Sequence, residues 1–556
     1  MSYDSRKSDS KIEKIKSFII EHKKIVFSVC AAALVLSLAA VLLIVISNSE
    51  EDFDYMDSGD TKGYDAEEFP LPDDFRELHD MIFNPPGTTD ELIETAGAVE
   101  TVETGSDETP PQTTTRPPRE PSPPADTGLP AIHINTESGR SVSSRTTYVA
   151  ATLSVDSNGT EFSSLDRTGI RIRGRGNSTW RADKKPYRIR FDSSVSIFGL
   201  PAGRNYVLLA NAYDQSHIRN SVAYAAARTL NFDHVPQAIH VELYINGSYS
   251  GLYTIGDSAS IALEVEPGGF LLEIGGRRKE IDVMNVDFFH GNVIYHVRVR
   301  TPTPRTRLTA DQMNYIRDYC READNAVMAL GNYEDYIDMR SLIDYFLFTE
   351  LLYNLDGAFK RSVFLRKNPG QKLEVASVWD FDLAMGNYSA DRSRYNKWAS
   401  VHNEDTYFND PSWINFLIED PVFQYAVRKR WEATGSKMYR AALAEVTRNR
   451  EFLGPAVARD RRLWPHTKSM YESWSTANIE TWSGQLDYIE TFLALRKRWI
   501  DRQIENFPAE APGGRDILAV RAPEVITTTP PPETTTAPLT DNITGLPITP
   551  EGVGNE

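Results

Sequence analysis

The sequence predicts an α+β fold in which a β-rich first half precedes a mostly helical second half. Strict period-two alternation over residues 170–174 and 187–191 is typical of half-buried strands. The Asn246-Gly247 pair between two alternating segments predicts a tight β-hairpin. Beyond residue 308, most segments have the period of amphipathic helices. These observations predict two lobes, one built mainly from strands and one mainly from helices.

The remaining elements follow from the same periodicities. Further strands are predicted at 131–135, 148–155, 206–210, 240–245 and 249–255. Helices are predicted at 217–230, 309–329, 340–353, 412–418, 421–450 and 479–505. One more hairpin, at 362–382, interrupts the helical half, because Asn368-Pro369-Gly370 separates two apolar segments.

Composition divides the chain into five segments. Residues 1–24 are basic, and residues 25–46 are apolar. Residues 47–128 are acidic at first and then rich in Pro and Thr, and residues 511–556 return to Thr and Pro. Such segments cannot bury a core, so we predict a disordered stalk and a disordered tail. The domain proper is predicted at 129–510.

The apolar segment 25–46 is predicted to be a single transmembrane helix. It contains no charged side chain, and a helix of this length is about 33 Å long, enough to cross a bilayer core. Its apolar region is too long for a typical cleavable signal peptide. Lys and Arg precede it and acidic residues follow it, which predicts a cytoplasmic N-terminus and an extracellular main domain. Similar Thr/Pro linkers flank surface domains of Gram-positive bacteria, so contact with the cell wall is an expectation.

The net charge of −18 arises from the stalk rather than from the domain. Residues 50–108 contain 20 Asp and Glu against Lys62 and Arg76, and the rest of the chain is balanced. The balance gives no basic face for nucleic acid, so we expect no nucleic-acid partner. The chain has two cysteines, Cys30 in the apolar segment and Cys320 in a predicted helix, so the external domain should lack a disulfide.

Two acidic positions in the second half of the chain are candidates for catalytic or metal-binding residues. Asp356 lies just after the predicted helix 340–353, and Asp380 and Asp382 follow about one hairpin later. Carboxylates this close in sequence can meet in space. Metal-dependent phosphoryl transfer needs one Asp to orient the attacking hydroxyl and another to hold Mg²⁺. The alternative is a solvated turn at the end of a strand.

The β-rich half offers the complementary cations. Arg173, Arg175 and Asn177 lie in a Gly-rich link between two strands, where arginines and backbone N–H groups can bind phosphate. The next predicted strand adds further cations, namely Lys185, Arg188 and Arg190. The alternatives are a basic turn and an edge strand protected by charge. Glu350 either pairs with one of these cations or belongs to a local network.

Other enzyme classes lack their signatures. The histidines do not fall into His-x-x-x-His spacing, and there is no pair of neighbouring cysteines for zinc. No Gly-x-Ser-x-Gly elbow of a serine hydrolase is present.

The ordered set of motifs resembles the spore-coat-protein-H (CotH) kinase family, over most of residues 165–505. The strings that carry the resemblance are RGRGNSTW, KKPYRIRF, FGLPAGRNYVLLANAYDQSHIRNSVAY, VELYINGSYSGLYTIGD, GGFLLEI, FTELLYNLDG, SVWDFDLAMGN and DPVFQYAVRKRW. Each string is weak alone, and their order is specific.

The resemblance implies an atypical, kinase-like fold that binds ATP with Mg²⁺ or Mn²⁺ and phosphorylates Ser or Thr of a protein substrate. Asp356 matches the family's catalytic Asp. Asp380 matches the metal-binding Asp, with Asp382 beside it. Some members carry Asn at a second metal position, where this sequence has Ser362. The nucleotide-side cations fall on the RGRGNSTW and KKPYRIRF strings, with Glu350 as their possible partner.

Two other classes of function stay open from the sequence. A degenerate kinase fold could serve as a non-catalytic surface module that binds wall polymer or an exported protein. Alternatively, Asp380-Phe381-Asp382 could be the Asp-x-Asp motif of a sugar-nucleotide glycosyltransferase.

Overall fold

The structure is a computed structural model that describes residues 127–257, 263–275, 285–290, 293–301, 309–359, 361–389, 392–401, 412–465 and 475–519. These residues belong to one compact unit, Arg116–Glu556. The predicted segments 1–24 and 25–46, nearly all of the stalk, and the tail beyond residue 519 lie outside the described residues. Among the helices of the described part, none is long and apolar enough to cross a membrane.

Seven strands form a closed barrel in the order β1-β2-β3-β4-β5-β7-β6. Neighbouring strands are antiparallel except β1 and β6, whose parallel pairing closes the barrel. The strands are β1 (Ala131–Thr136), β2 (Val149–Asp156), β3 (Leu165–Gly174), β4 (Tyr187–Val195), β5 (Gly203–Leu209), β6 (Ile239–Ile245) and β7 (Ser248–Gly256). Aliphatic and aromatic side chains from all seven strands fill the interior.

The alternation predicted for the first half is confirmed in the barrel. Ile189 and Phe191 are fully buried in its core, and Arg188 and Arg190 alternate with them on the outer face. The β6–β7 hairpin turns at Asn246-Gly247, and both residues have positive φ, 51° and 77°. Asn and Gly tolerate this backbone conformation better than other residues, which explains the turn.

A second sheet of five strands has the order β12-β11-β8-β10-β9. Its strands are β8 (Phe270–Gly275), β9 (Asn285–His290), β10 (Val293–Thr301), β11 (Val363–Lys367) and β12 (Glu374–Ser377). The predicted hairpin at 362–382 is therefore β11 and β12, which pair antiparallel. β11 also pairs with β8, so the hairpin extends a sheet begun in the first half of the chain.

Seven α-helices are described in the part of the chain that the structure covers. They are α1 (Arg219–Ala227), α2 (Ala310–Met328), α3 (Met339–Leu352), α4 (Trp413–Leu417), α5 (Pro421–Phe452), α6 (Gly454–Leu463) and α7 (Trp482–Glu505). Their N-termini follow capping rules: Thr309 and Gln312 form a capping box on α2, and the Asp420 side chain accepts from Val422 N–H at the start of α5.

The α+β class is therefore observed, and the two-lobed arrangement of a typical kinase needs correction. The strands divide into a closed seven-stranded barrel and a separate five-stranded sheet. The two-lobed expectation fails because long-range pairing of strands sets their arrangement. Barrel closure depends on β1 against β6, more than 100 residues apart, and alternation within a strand does not specify its distant partner.

Packing also continues past residue 510. Arg515 Nη2 lies 2.5 Å from Glu334 Oε2, and Lys429 Nζ lies 2.8 Å from Asp516 Oδ2. Ile517 is buried. The segment 511–519 thus belongs to the packed body, beyond the boundary that composition suggested.

Candidate active site

Helix α1 positions the backbone of the candidate site through side-chain hydrogen bonds. The Asn220 side-chain oxygen accepts the Phe381 backbone N–H at 2.9 Å, which fixes the peptide that joins Asp380 to Phe381. Arg219 Nε donates to the Ala384 carbonyl at 3.0 Å. Because α1 lies within the connection between β5 and β6, these bonds hold the 380–384 segment against the first half of the chain.

The Arg219 guanidinium is itself held in place by contacts with the segment that precedes α1. Arg219 Nη1 donates to Asp214 Oδ1 at 2.6 Å, and both residues are buried. Asp214 Oδ1 also accepts from Ser216 N–H at 3.0 Å. A buried ion pair with further hydrogen bonds holds one geometry, since breaking it leaves an uncompensated charge.

Tyr224 lies one turn after Asn220 on the same face of α1. Its ring packs edge-on against Phe381, with 6.1 Å between ring centroids. Its hydroxyl is buried and has no hydrogen-bond partner among the described residues. Burial raises the pKa of Tyr224 well above its usual range, and the charges of Asp380 and Asp257 raise it further. Tyr224 is thus a neutral phenol beside the carboxylates.

Asp380 has an uncommon backbone conformation, with φ of 70°. Asn354 Nδ2 donates to its carbonyl at 3.2 Å, and Ser362 Oγ donates to its Oδ2 at 3.4 Å. Four other non-glycine residues around the site also have positive φ: Tyr353, Phe359, Ser362 and Met385. Such strain is often concentrated at functional sites, where surrounding contacts maintain it.

Asp356 lies in the turn after α3, near Asp380. Arg361 Nη1 donates to Asp356 Oδ1 at 3.1 Å, and the Asp356 side chain keeps 21% of its surface exposed. Asn354 Oδ1 accepts the Gly357 N–H at 3.2 Å and so shapes this turn. Burial raises the pKa of Asp356, and the Arg361 charge opposes that rise.

The three aspartates lie within electrostatic reach of one another. Desolvation raises the pKa of Asp380 to about 6, and the Asp356 charge adds to the shift. Desolvation also raises the pKa of Asp382 well above its usual range, with further contributions from Asp380 and Asp356. Asp380 is nevertheless exposed to solvent, so a ligand can reach it.

These side chains suit a cation that takes its remaining ligands from water or from a bound substrate. Within the described ranges, no group of three or more His, Cys, Asp or Glu side chains is arranged to hold a metal ion. Mg²⁺ is commonly bound through one or two carboxylates plus waters and substrate phosphates. Asp380 and Asp382 meet that smaller requirement, with the Ser362 hydroxyl next to Asp380.

Arg175 is the predicted cation whose charge reaches these carboxylates. It opposes the rise in pKa of both Asp380 and Asp382. Its guanidinium lies over the Trp379 ring, 5.9 Å from the centroid, and its backbone N–H donates to Pro186 O at 3.1 Å. Gly176 beside it has φ of 85° and no room for a Cβ, which would lie 2.1 Å from Thr179 Oγ1.

The other predicted cations have different surroundings. Arg173 lies over the Tyr148 ring at 5.1 Å and donates to the Arg145 carbonyl. Lys185 Nζ donates to the Trp180 carbonyl at 2.8 Å. The Asn177 side-chain oxygen accepts from Arg145 at 3.4 Å. Arg188 and Arg190 lie directly opposite Arg173 and Arg171 on the barrel.

Glu350 belongs to a local network, the second of the two roles that the sequence left open. It is fully buried, and its oxygens accept from the Ala399 and Ser400 N–H groups, both at 2.7 Å. Its cation is Arg496 on α7, with Nη2 3.1 Å from Oε2. The described contacts do not pair Glu350 with a cation of the 171–190 region.

Sequence reasoning missed the contribution of α1. Asp214, Ser216, Arg219, Asn220 and Tyr224 all fall in the string YDQSHIRNSVAY, for which the sequence predicts a helix at 217–230 and a family resemblance but no site role. The available signal was polar: an Arg and an Asn occupy consecutive positions of a helix that is otherwise rich in Ala and Val. Both are buried, which is uncommon for these residue types.

Residues 170–500 match the family model described as CotH kinase protein. The chain belongs to the CotH kinase family. The match covers more than half of the chain, from within β3 to within α7, and includes Arg175, α1, Asp356 and Asp380. Strands β1 and β2, which complete the barrel, precede it. No curated protein matches the chain.

Proposed function

We propose that this member of the CotH kinase family is an atypical protein kinase that transfers the γ-phosphate of ATP to Ser or Thr of a surface or exported protein. The observation that supports it best is that Asp356, Asp380, Asp382 and Arg175 lie within electrostatic reach of one another, with Asp380 exposed to solvent. Phosphoryl transfer depends mainly on positioning and on stabilising charge, and this set supplies carboxylates and a cation for both.

Asp380 and Asp382 would hold Mg²⁺ or Mn²⁺, with Ser362 beside them. The bound metal would supply charge for the phosphate oxygens. The raised pKa values of both carboxylates support this assignment, because a bound cation favours the charged forms that desolvation and the neighbouring carboxylates disfavour. Asn220 and Asn354 support this site indirectly, because their hydrogen bonds fix the backbone around Asp380.

Asp356 would accept a hydrogen bond from the acceptor hydroxyl and orient it toward the phosphate. Its partly exposed carboxylate and raised pKa suit a general base, since a base works best with a pKa nearer the working pH. The Arg361 contact holds the carboxylate in one orientation.

Arg175 is our assignment for the main phosphate contact. Arg173, Arg188, Lys185 and Asn177 are proposed to line the nucleotide side of the site. Glu350 receives a structural role, because its carboxylate oxygens are used by Arg496, Ala399 and Ser400. Arg190 lies farther along the barrel.

We further propose that the domain is extracellular and anchored by residues 25–46, with the N-terminus in the cytoplasm. The supporting observation is the sequence alone: an uncharged span preceded by basic residues and followed by acidic ones. Protease added to intact cells should release a large fragment. Survival of the domain until the cells are lysed would reverse this topology.

A non-catalytic surface module is the second candidate. One observation favours it: Ser362 stands where some family members carry Asn. Such a module would bind wall polymer or an exported protein without transfer.

Labelled ATP distinguishes the candidates. The full-length protein in mild detergent is incubated with Mg²⁺ or Mn²⁺ and a casein-like acceptor, and binding of an ATP analogue is compared with binding of a UDP-sugar. The kinase proposal expects ATP-analogue binding and labelled acceptor. Binding of neither nucleotide favours the surface module, and preference for the UDP-sugar favours a glycosyltransferase.

A further inference from the structure

The outer face of β3 and β4 carries four arginines in two directly opposed pairs. Arg171 lies opposite Arg190, and Arg173 lies opposite Arg188. We call these four residues the arginine face. Like charges directly opposite each other on neighbouring strands destabilise a sheet. The stability of the barrel therefore gives no reason for the Arg171–Arg190 pair, and a binding role gives one.

Within the described residues, the Arg171–Arg190 pair of the arginine face is only partly neutralised by the protein. Arg171 Nη2 contacts Asp192 Oδ1 at 3.0 Å, but the two side chains are 45% and 72% exposed, so water weakens the pair. The Nε of Arg190 is buried and has no hydrogen-bond partner within the described residues. A donor withdrawn from water without an acceptor is costly, so the described residues leave the Arg190 guanidinium incompletely satisfied.

The arginine face is continuous with the candidate active site. Arg175 follows Arg173 by two residues, and the opposed pairs extend from there along the strands. Each strand residue advances about 3.3 Å, so Arg171 and Arg190 lie about 13 Å from Arg175. That distance is too long for a contact with the phosphoryl group held between Arg175 and Asp380. A ligand that continues from the site across the barrel can reach both.

We propose that the distal pair of the arginine face, Arg171 and Arg190, binds an acidic segment of the protein acceptor, close to the Ser or Thr that receives the phosphoryl group. The inference rests on the proposed kinase function and adds a substrate class to it. The planar guanidinium matches a carboxylate with two parallel hydrogen bonds, which favours Asp and Glu side chains. An extended peptide advances about 3.3 Å per residue, so acidic residues about four positions from the acceptor would meet Arg171 and Arg190.

The test uses two labelled peptides and two double variants of the full-length protein in mild detergent. One peptide has a central Ser with Glu at the third to fifth positions on both sides, and the other has Gln at those positions. Arg171→Gln with Arg190→Gln removes two charges from the arginine face. Arg440→Gln with Arg502→Gln removes two charges from exposed positions on α5 and α7. Fluorescence anisotropy measures peptide binding, and calorimetry measures Mg·ATP binding.

The wild type should bind the Glu peptide more tightly than the Gln peptide. The Arg171/Arg190 double variant should weaken Glu-peptide binding about 10-fold, as expected for two lost charge-assisted contacts. The Arg440/Arg502 control should bind like the wild type, and Mg·ATP affinity should be the same in all three proteins.

Equal binding of the two peptides, or an equal loss in both double variants, would overturn the inference. Preference of the arginine face for poly(glycerol phosphate) over the Glu peptide would also overturn it and assign the face to wall polymer. The kinase proposal fails separately: if no protein transfers phosphate but Glu-peptide binding still depends on Arg171 and Arg190, the docking surface stands and the reaction does not.

Discussion

At the scale of single residues, the surroundings of Asp380 make its backbone conformation and its charged form unfavourable in the ligand-free protein. The Asp380 backbone has positive φ, and burial together with Asp356 raises its pKa from 3.8 to about 6. The charged form is therefore less favourable in the folded protein than in the unfolded chain. A ligand cation would remove this penalty, which is why we place the penalty and the function at the same residue.

The raised pKa has a consequence for stability against pH. Between pH 4 and 6 the folded protein binds more protons at Asp380 than the unfolded chain, so the free energy of unfolding contributed by this group falls as pH rises. Asp380→Asn should remove this part of the pH dependence and raise Tm slightly at pH 7. Thermal unfolding of ligand-free wild type and variant from pH 4 to 7 checks it. Parallel curves for the two proteins would contradict the assignment.

Tyr224 and Tyr319 are a matched pair for the cost of an unpartnered hydroxyl. Tyr319 donates to the Tyr336 carbonyl at 2.7 Å, whereas the buried Tyr224 hydroxyl has no partner within the described part of the chain. Tyr319→Phe should lower the free energy of unfolding by about 1 kcal/mol, and Tyr224→Phe should leave it unchanged or higher. Chemical denaturation measures both. A larger loss in Tyr224→Phe than in Tyr319→Phe would show a hydrogen bond at Tyr224.

At the scale of elements, the site depends on how α1, α3 and α7 are joined. α1 fastens the 380–384 segment, and the turn after α3 carries Asp356. Glu350 connects α3 to α7 through Arg496 and to the segment 395–400. Both members of this ion pair are fully buried, so removing one leaves a charge without compensation.

Glu350→Ala should therefore lower the free energy of unfolding by about 3–5 kcal/mol. The control is Glu432→Ala, whose exposed pair with Arg428 within α5 is worth about 0.2–1 kcal/mol. Denaturant unfolding of both variants measures the difference. At a temperature where Glu350→Ala is still folded, Mg·ATP affinity should match the wild type. A selective loss of Mg·ATP affinity with little loss of stability would instead return Glu350 to the nucleotide side.

At the scale of the whole molecule, the sequence predicted the class and most elements, because those depend on local periodicity. The β4 alternation, the Asn246-Gly247 hairpin and the 362–382 hairpin all appear in the structure. Barrel closure and the joining of β11 to β8 depend on distant pairing, which periodicity does not encode. The same limit applies to the site: the acidic residues were found from their spacing, whereas the role of α1 depends on contacts across more than 150 residues.

The C-terminal boundary is a further consequence of distant contacts. A domain fragment that ends at residue 510 loses the Arg515–Glu334 and Asp516–Lys429 ion pairs and the burial of Ile517. These contacts are together worth about 2–4 kcal/mol. Fragment 127–510 should therefore melt several degrees below fragment 127–519, by calorimetry or circular dichroism. Equal melting temperatures would place 511–519 outside the folded body.

The central claim is that Asp380 acts on the bound nucleotide and Asp356 on the acceptor, and one paired measurement tests it. Mg·ATP affinity and labelled-phosphate transfer are measured on wild type, Asp380→Asn and Asp356→Asn in the same preparation. Asp380→Asn should weaken Mg·ATP binding and abolish transfer. Asp356→Asn should keep the affinity nearly intact and reduce transfer on the order of 10²-fold or more, as for loss of a general base. Loss of affinity in both variants alike, or a wild type that binds no nucleotide with any divalent metal, would contradict the account.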